Sequence, residues 1–359
     1  MAALNSWGYG IVGFEVTRAL VGAGHAVALF PRPVRGADEL VLDLDDVAIV
    51  RQALRRQASY APDAPCIRIA AENDMTLFAG VGQRVGLTFF ETTRLADIEL
   101  RHLLTLDVIM VASRWAHDVA IEAGLPADRL HVVPMGVDTT LFPASDPPAD
   151  GPTVFLHIGK WEHRKGQDVL LEAFGKAFAP GDDVELQLVS ANQLRQDRDA
   201  QWHDVVTASP MADHITILPR ERTRAGLARV MAASHCGVFP ARSEGWNLGL
   251  VEMLATGRAV IATDYSAHTQ YLTPENAHLI EVDELEDAQD PRWVPVYSTR
   301  GTGQWAHLGP RQVDQLVEHL RAVHLARQEG RLGRNEAGVA TAQALSWAAT
   351  ATAIEAALR

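Results

Sequence analysis

The sequence contains few cysteines and lysines and no long apolar run. Its two cysteines, Cys66 and Cys236, are too few for a framework of disulfides, which excludes a small secreted scaffold held by such bonds. No apolar run approaches the roughly 20 residues that cross a bilayer, which excludes a membrane span. The N-terminal stretch MAALNSWGYG has no basic leader, so we expect a cytoplasmic protein.

Basic residues are almost all arginines. Only Lys160, Lys165 and Lys176 are lysines among 32 basic side chains, and two of them fall in GKWEHRKG, residues 159–166. The net charge of -13 disfavours sequence-independent binding to phosphate backbones. One local group of arginines stands out, and we interpret it as a solvated helix face: Arg51, Arg55, Arg56 and Arg68.

The chain alternates β-rich runs with helical periods, which predicts an α/β fold with parallel sheets in two domains. Predicted strands are 26–31, 107–113 and 130–135 in the first half, and 153–159, 184–190, 214–219, 236–241 and 258–263 in the second. A stretch rich in Pro, Asp and Gly at 141–153 suggests a linker. We therefore predict domains at 1–143 and 144–340, with a C-terminal helix at 341–359 packing back on the first. Residues 283–306 have no clear period and are interpreted as an insertion or an ordered loop.

The stretch SEGWNLGLVEML, residues 243–254, places Glu252 among apolar helix residues. Burying a carboxylate there costs several kcal/mol, on the order of magnitude of desolvation, unless it is paired. The helix follows a predicted strand, so free N–H groups from about Gly245 to Leu248 would face the edge where such sheets bind anions. Glu244 and Glu252 would bracket the ligand, and a sugar hydroxyl could satisfy them. The alternative is that Glu244 caps the helix and Glu252 pairs with a buried arginine.

Lys160 and Lys165 lie in the loop after the strand at 153–159, in the same half as the two glutamates. Ammonium groups there would neutralise a diphosphate as point charges. The alternative is a pair of solvent-facing lysines in an ordinary loop.

Two glycine motifs could let the backbone approach a ligand. Gly8, Gly10 and Gly13 have the spacing G-x-G-x-x-G in a predicted loop that opens a helix, but no acidic residue is placed to bind a dinucleotide ribose. Gly136 lies in the turn after the strand at 130–135, where it could pass close to a ligand. The neighbouring Asp138 is interpreted as an Asx-turn.

Taken together, these motifs resemble the retaining glycosyltransferase family four, whose GT-B architecture has two facing Rossmann-like domains. The paired glutamates match Glu244 and Glu252, and the basic loop matches GKWEHRKG, with Lys160 where arginine is commoner. The turn Pro134–Asp138 and the glycine-rich N-terminal stretch also match. Phrases such as GYGIVGFEVTRAL, VASRWAHDVA and EGWNLGLVEML are similar to bacteriophage-carried members, which would place the protein in the host cytoplasm.

The resemblance implies a transfer of sugar from a nucleoside diphosphate, with retention of configuration and without a bound metal or other cofactor. Glu244, Lys160 and Lys165 would be catalytic. The implied donor-binding residues are Glu252, Gly245, Trp246, Asn247, Leu248, Arg220, Gly10 and Gly136. UDP is the favoured nucleotide over GDP and ADP.

Acceptor contacts are expected from the first domain. Glu91 is the candidate there, with a helix-capping acid as the alternative. His268, in the second predicted domain, is a further acceptor-side candidate that could also reach the donor, with a structural histidine as the alternative. A phage setting favours a modified DNA base or a virion protein as acceptor, a bacterial setting favours a glycan or small molecule, and acidity argues against DNA. A nucleotide-sugar epimerase and a catalytically silent nucleotide-sugar-binding protein are the competing functions. A homodimer is compatible with the sequence.

Overall fold

The computed structural model describes residues 1–32, 40–191, 196–288 and 303–359. Contacts between Cα atoms divide the chain into two units. The first comprises Met1–Gly136, Asp287–Gln304 and Leu345–Arg359, and the second comprises Val137–Glu286 and Trp305–Ala344. Each unit is therefore assembled from separate stretches of sequence.

The first unit is built on a four-stranded parallel sheet with strands in sequence order. The strands are β1 (Cys66–Ile69), β2 (Arg84–Thr88), β3 (Val108–Val111) and β4 (Leu130–Val132). Strand β3 is buried along its whole length because every residue in it is apolar. This is the pattern of a parallel strand covered on both faces.

The helices of the first unit come from both ends of the chain. They are α1 (Gly8–Gly22), α2 (Leu44–Arg55), α3 (Asp97–Leu103), α4 (Arg114–Glu122) and α11 (Trp347–Ala357). The hydroxyls of Ser113 and Ser346 cap α4 and α11 by accepting hydrogen bonds from the backbone N–H groups of Ala116 and Ala349. Helix α11 packs directly on α1.

The second unit contains a six-stranded sheet in the order β10-β9-β8-β5-β6-β7, with all neighbours parallel. Its strands are β5 (Thr153–Ile158), β6 (Val184–Val189), β7 (Ile215–Ile217), β8 (Cys236–Phe239), β9 (Ala259–Thr263) and β10 (His278–Ile280). The chain leaves β5 toward β6 on one side and leaves β8 toward β9 on the other. Open α/β sheets bind ligands beside the carboxyl ends of strands at such a switch point, so the loops after β5 and β8 are the place for a site.

Helices of the second unit are α5 (Gln167–Ala177), α6 (Gln196–Thr207), α7 (Arg224–Ala232), α8 (Leu248–Ala255), α9 (Pro310–Gln328) and α10 (Glu336–Ala344). A core of apolar side chains joins α5 and α9 to the sheet, including Phe155, Phe174 and Leu316. Two further short strands, β11 (Leu285–Asp287) and β12 (Gln304–Ala306), pair with each other. None of the described helices combines the length and apolar character needed to cross a membrane.

The α/β class with parallel sheets is confirmed, and so are seven predicted strands. These lie within 107–113, 130–135, 153–159, 184–190, 214–219, 236–241 and 258–263. The prediction at 26–31 is wrong, because Pro31 makes only an isolated bridge with Ala2. Proline has no N–H to continue a ladder. Strands β1, β10, β11 and β12 were not predicted.

Arg68 does not belong to a solvated helix face. It lies in β1 with its side chain 1% exposed, and its guanidinium pairs with Asp74 and donates to the carbonyl oxygen of Leu77 at 3.2 Å. The carboxylate of Asp74 therefore pairs with a cation that the strand buries.

The predicted domain boundaries differ from the units in three places, one of which is the stretch Asp287–Gln304, which belongs to the first unit. The first unit gives way to the second after Gly136, because the segment that follows packs with the second unit. Phe142 is buried beneath Arg224, and the hydroxyl of Ser145 is 2.8 Å from Nη2 of Arg258. The predicted helix at 341–359 is divided, since α10 ends in the second unit and Ser346 caps a separate helix, α11, in the first. Within the predicted insertion at 283–306, residues 289–302 lie outside the described part of the chain.

Candidate functional site

The loop after β5 lies directly against the loop after β8. It contains Lys160 and a short 3-10 turn, His163–Lys165, and Gly166 then opens α5. Gly166 has a positive φ of 71°, and a Cβ atom there would collide with the carbonyl oxygen of Pro240. Glycine is therefore required both by the backbone conformation and by the close approach of the two loops.

This approach brings Glu244 between two cations. The Lys165 ammonium Nζ is 2.5 Å from Oε1 of Glu244, and Nη1 of Arg164 is 2.9 Å from Oε2. All three side chains are largely buried. Burial by itself would raise the pKa of Glu244, but the charges of Lys165 and Arg164 outweigh it and lower the pKa to about 2. Glu244 is therefore a carboxylate fixed at both oxygens.

Arg164 is the central cation of this cluster, and the sequence did not single it out. Its guanidinium also donates to the carbonyl oxygen of Ser243 at 2.7 Å and to the carboxylate of Glu162 at 3.0 Å. Lys160 lies at the edge of the cluster, 3.9 Å from Glu162 and 41% exposed. The sequence signal that could have identified Arg164 is its position between Lys160 and Lys165 in GKWEHRKG.

Glu252 is held by an arginine. Its side chain is 2% exposed, and Oε1 accepts a hydrogen bond from Nη2 of Arg224, the first residue of α7. Burial raises the pKa of Glu252, and the charge of Arg224 opposes that increase. The alternative of a buried arginine partner is therefore observed in this structure, and sequence reasoning did not identify Arg224 as that partner.

Helix α8 begins at Leu248, and Asn247 is its N-cap residue. Asn247 has a positive φ of 77°, a conformation that asparagine tolerates better than most residues, and its Oδ1 accepts from the N–H of Leu250 at 3.3 Å. Residues 247–249 are half-buried, so the start of α8 is partly open to solvent. A helix start of this kind favours an anionic ligand.

The imidazole of His268 is hydrogen-bonded to the side chain of Asn247 in this turn. Its Nδ1 is 3.0 Å from the carbonyl oxygen of Thr263 and must donate to it, so Nε2 accepts from Nδ2 of Asn247 at 3.0 Å. The ring is fully buried, and burial lowers the pKa of His268 to about 4. Since both nitrogens are engaged, the geometry favours the structural histidine over an acceptor contact.

A second network of ion pairs and hydrogen bonds fixes Arg242, the residue before Ser243. The guanidinium of Arg242 forms a bidentate pair with Asp168 at 2.8 and 2.9 Å and donates to Glu286 at 3.0 Å. Its backbone N–H donates to the carbonyl oxygen of Arg164 at 2.7 Å. Arg242 therefore ties the loop after β8 to the loop after β5, which keeps Arg164 and Glu244 in register.

The glycine motifs serve packing. Gly10 and Gly13 lie inside α1 and not in the predicted loop. A Cβ on Gly10 would collide with Asn5, and a Cβ on Gly13 would collide with Ala3. A Cβ on Gly136 would collide with the backbone of Trp347 at the start of α11. These contacts lie within the first unit and explain the glycines without a ligand. The expected Asx-turn is confirmed, since Oδ1 of Asp138 accepts from the N–H of Thr140 at 3.0 Å.

The remaining candidates lie in loops. Glu91 is half-buried after β2 in the first unit, and it is not the capping acid of α3, because Glu99 accepts from the helix-start N–H of Ala96 at 2.8 Å. Arg220 is half-buried in the loop between β7 and α7, in the second unit. Across the described ranges, no group of three His, Cys, Asp or Glu side chains is arranged to hold a metal ion.

Residues 152–290 match the family model described as glycosyl transferases group 1. The chain is 32% identical over 243 residues to the phosphatidyl-myo-inositol mannosyltransferase of Mycolicibacterium smegmatis, covering 65% of this chain and 53% of that protein. It is 29% identical to the D-inositol 3-phosphate glycosyltransferase of Pseudarthrobacter chlorophenolicus, over 44% of this chain and 39% of that protein. The chain thus spans about half the length of these relatives or less.

Solved structures share the fold. A sucrose-phosphate synthase from Thermosynechococcus elongatus superposes with a TM-score of 0.69 at 17% identity, covering 98% of this chain and 93% of that one. HepE of Anabaena, solved in complex with UDP and glucose, gives a TM-score of 0.59 at 17% identity over 77% of this chain and 71% of its own. The predicted GT-B fold class is confirmed by these similarities.

Proposed function

We propose that this protein is a retaining glycosyltransferase that moves a sugar from a nucleoside diphosphate sugar to an acceptor hydroxyl. The observation that carries the proposal is Glu244, fixed as a carboxylate by Lys165 and Arg164 beside the start of α8. A carboxylate, two cations and free helix N–H groups lie together at the switch point of the second sheet. The family match over residues 152–290 and the names of the relatives support a glycosyl transfer.

Each group has a role that follows from its charge. The N–H groups near Trp246, Asn247 and Leu248 would bind the diphosphate, and Glu244 would lie against the sugar ring. The bond between the anomeric carbon and the diphosphate oxygen breaks, and negative charge grows on the leaving diphosphate. Lys165 and Lys160 would stabilise that charge as fixed cations. The acceptor oxygen bonds to the anomeric carbon on the same face, and its proton passes to the diphosphate.

We propose a UDP-sugar as donor, and the complex of HepE with UDP and glucose supports this choice. A panel of UDP, GDP, ADP and dTDP in thermal unfolding tests it. A nucleotide at 100 times its dissociation constant should stabilise the protein by about 2.7 kcal/mol.

Glu252→Gln should weaken nucleotide binding by roughly tenfold to a hundredfold, the value of a hydrogen bond to a charged group. The matched control is Glu172→Gln, which changes an exposed glutamate on α5 and should leave the shift intact. If no nucleotide shifts the wild type at millimolar concentration, the donor assignment fails.

Retention of configuration is tested on the product. The anomeric configuration of the transferred sugar, measured by NMR, should equal that of the donor. Inversion would refute the same-face path. The competing functions give other results: an epimerase would convert the donor sugar without an acceptor, and a silent binding protein would neither transfer it nor slowly hydrolyse it.

The acceptor proposal is a hydroxyl group of a modified DNA base, a virion protein, a glycan or a small molecule. The likeness of the sequence to bacteriophage-carried enzymes supports the first two. The names of the relatives, which refer to inositol compounds, support a small polyol. Acceptor screening with the identified donor separates these classes.

A further inference from the structure

The carboxylate of Glu252 is hydrogen-bonded through one of its two oxygens. Oε1 accepts from Arg224, and no hydrogen bond joins Oε2 to any other residue in the described ranges. The carboxylate is 2% exposed and the guanidinium 19% exposed, so the pair lies just beneath the surface of the second unit. One oxygen is therefore committed to the protein, and the other is available to a ligand.

Arg224 is itself held in place. Its guanidinium lies over the ring of Phe142, 4.9 Å from the centroid, and Phe142 is completely buried. A cation over an aromatic face is attracted to it, most strongly where water is excluded. Thr223 caps the helix that begins at Arg224, by accepting from the N–H of Gly226 at 2.9 Å. Backbone and side chain are thus both fixed, and Arg224 is not a mobile surface cation.

The charge of Glu252 depends on this partner. Burial disfavours the carboxylate and raises its pKa, and Arg224 is the group that opposes the increase. Without Arg224, the buried acid would take up a proton at a higher pH than in the intact protein. A protonated acid is a weaker acceptor of hydrogen bonds than a carboxylate.

We propose that Arg224 is a positioning residue for donor binding: it holds Glu252 ionised with Oε1 occupied, so that Oε2 accepts from the ribose hydroxyls of the nucleotide. This inference rests on the proposed function and adds the residue that prepares Glu252 for its ligand. A vicinal diol offers two O–H donors, which is the chemistry that an oriented carboxylate recognises.

The test measures dissociation constants for UDP, GDP and ADP, each beside its 2′-deoxy counterpart, by titration calorimetry from about pH 5.5 to about pH 8.5. Glu252→Gln should show no pH dependence from this group, and the wild type should lose affinity only at a lower pH than Arg224→Gln. Arg224→Gln should lose affinity as the pH falls, by up to about tenfold for each unit below the raised pKa of Glu252. Arg224→Lys should restore most of the wild-type profile. Removal of the 2′-hydroxyl should weaken binding to the wild type and have no effect on Glu252→Gln.

Two further variants make the result decisive. In Arg224→Gln/Glu252→Gln the pH dependence should disappear, because no titrating carboxylate is left for Arg224 to control. Phe142→Leu should shift the pH dependence of nucleotide affinity in the same direction as Arg224→Gln, but by less. If Arg224→Gln does not fold, Phe142→Leu and Arg224→Lys provide the test instead.

The outcomes distinguish a failure of the proposed function from a failure of the positioning role of Arg224. If no nucleotide binds the wild type, the proposed function fails. If a nucleotide binds the wild type and Arg224→Gln binds it equally at every pH, Arg224 has no positioning role. Tighter binding by Arg224→Gln would show that the arginine competes with the ribose, and would also overturn the inference.

Discussion

Lys165→Met should reduce the rate of sugar transfer by roughly 10²–10³-fold, the usual loss on removing one preorganised group that stabilises developing charge. The Lys165 ammonium is already fixed 2.5 Å from Glu244 in a buried cluster, so it can act without reorganising. The measurement is kcat with the identified donor, beside the affinity for the free nucleotide. A larger loss in kcat than in nucleotide affinity is expected, because the charge grows during the reaction.

The chain provides a matched control for this substitution. Lys176→Met removes a lysine from the exposed face of α5, where it pairs with Glu172 at 2.8 Å. Its kcat should equal that of the wild type. Unchanged turnover in Lys165→Met, in a protein with normal melting temperature, would remove Lys165 from the catalytic group.

Arg164→Met should lower the free energy of unfolding by about 3–5 kcal/mol, the cost of leaving a buried charge without its partner. Arg164 lies between Glu162 and Glu244, and both carboxylates are buried. Denaturant unfolding measures the loss. Arg311→Met is the control, since it removes an arginine that pairs with Glu281 at the surface, and a change of less than about 1 kcal/mol is expected there.

The pH dependence gives this prediction a second readout. The folded-state pKa of Glu244, about 2, lies below its ordinary value of 4.5, so its contribution to stability is present above pH 4.5 and is lost as the pH falls toward 2. Removing Arg164 raises that pKa and leaves less stability to lose. The difference between wild type and variant should therefore shrink on acidification. A difference that is constant with pH would mean that Arg164 acts through packing alone.

The location of the site followed from the sequence because it depends on strand order. The strands β5 and β8 are recognisable as apolar β-rich runs, and each is followed by a motif that carries charge. Lys165 and Glu244 are 79 residues apart, yet they meet because parallel neighbours present their carboxyl ends at one edge.

The partner of Glu252 did not follow from the sequence. The cost of burying the carboxylate indicated that something must hold it, but 29 arginines were available and nothing local selects Arg224. The pair forms because the fold brings the start of α7 next to Glu252 of α8, 28 residues further along the chain. The loop predicted at Gly10 and Gly13 was wrong for the same reason: their spacing is local information, and their contacts with the N-terminal segment are tertiary.

The first unit is completed by the last helix of the chain, and this affects its folding during synthesis. Gly136 lies against the start of α11. The residues of α11 leave the ribosome only after the whole second unit has been translated. Until then α1 lacks the helix that covers it, and its apolar face stays open to solvent or to chaperones. The second unit does not include α11, so its sheet can form before α1 is covered.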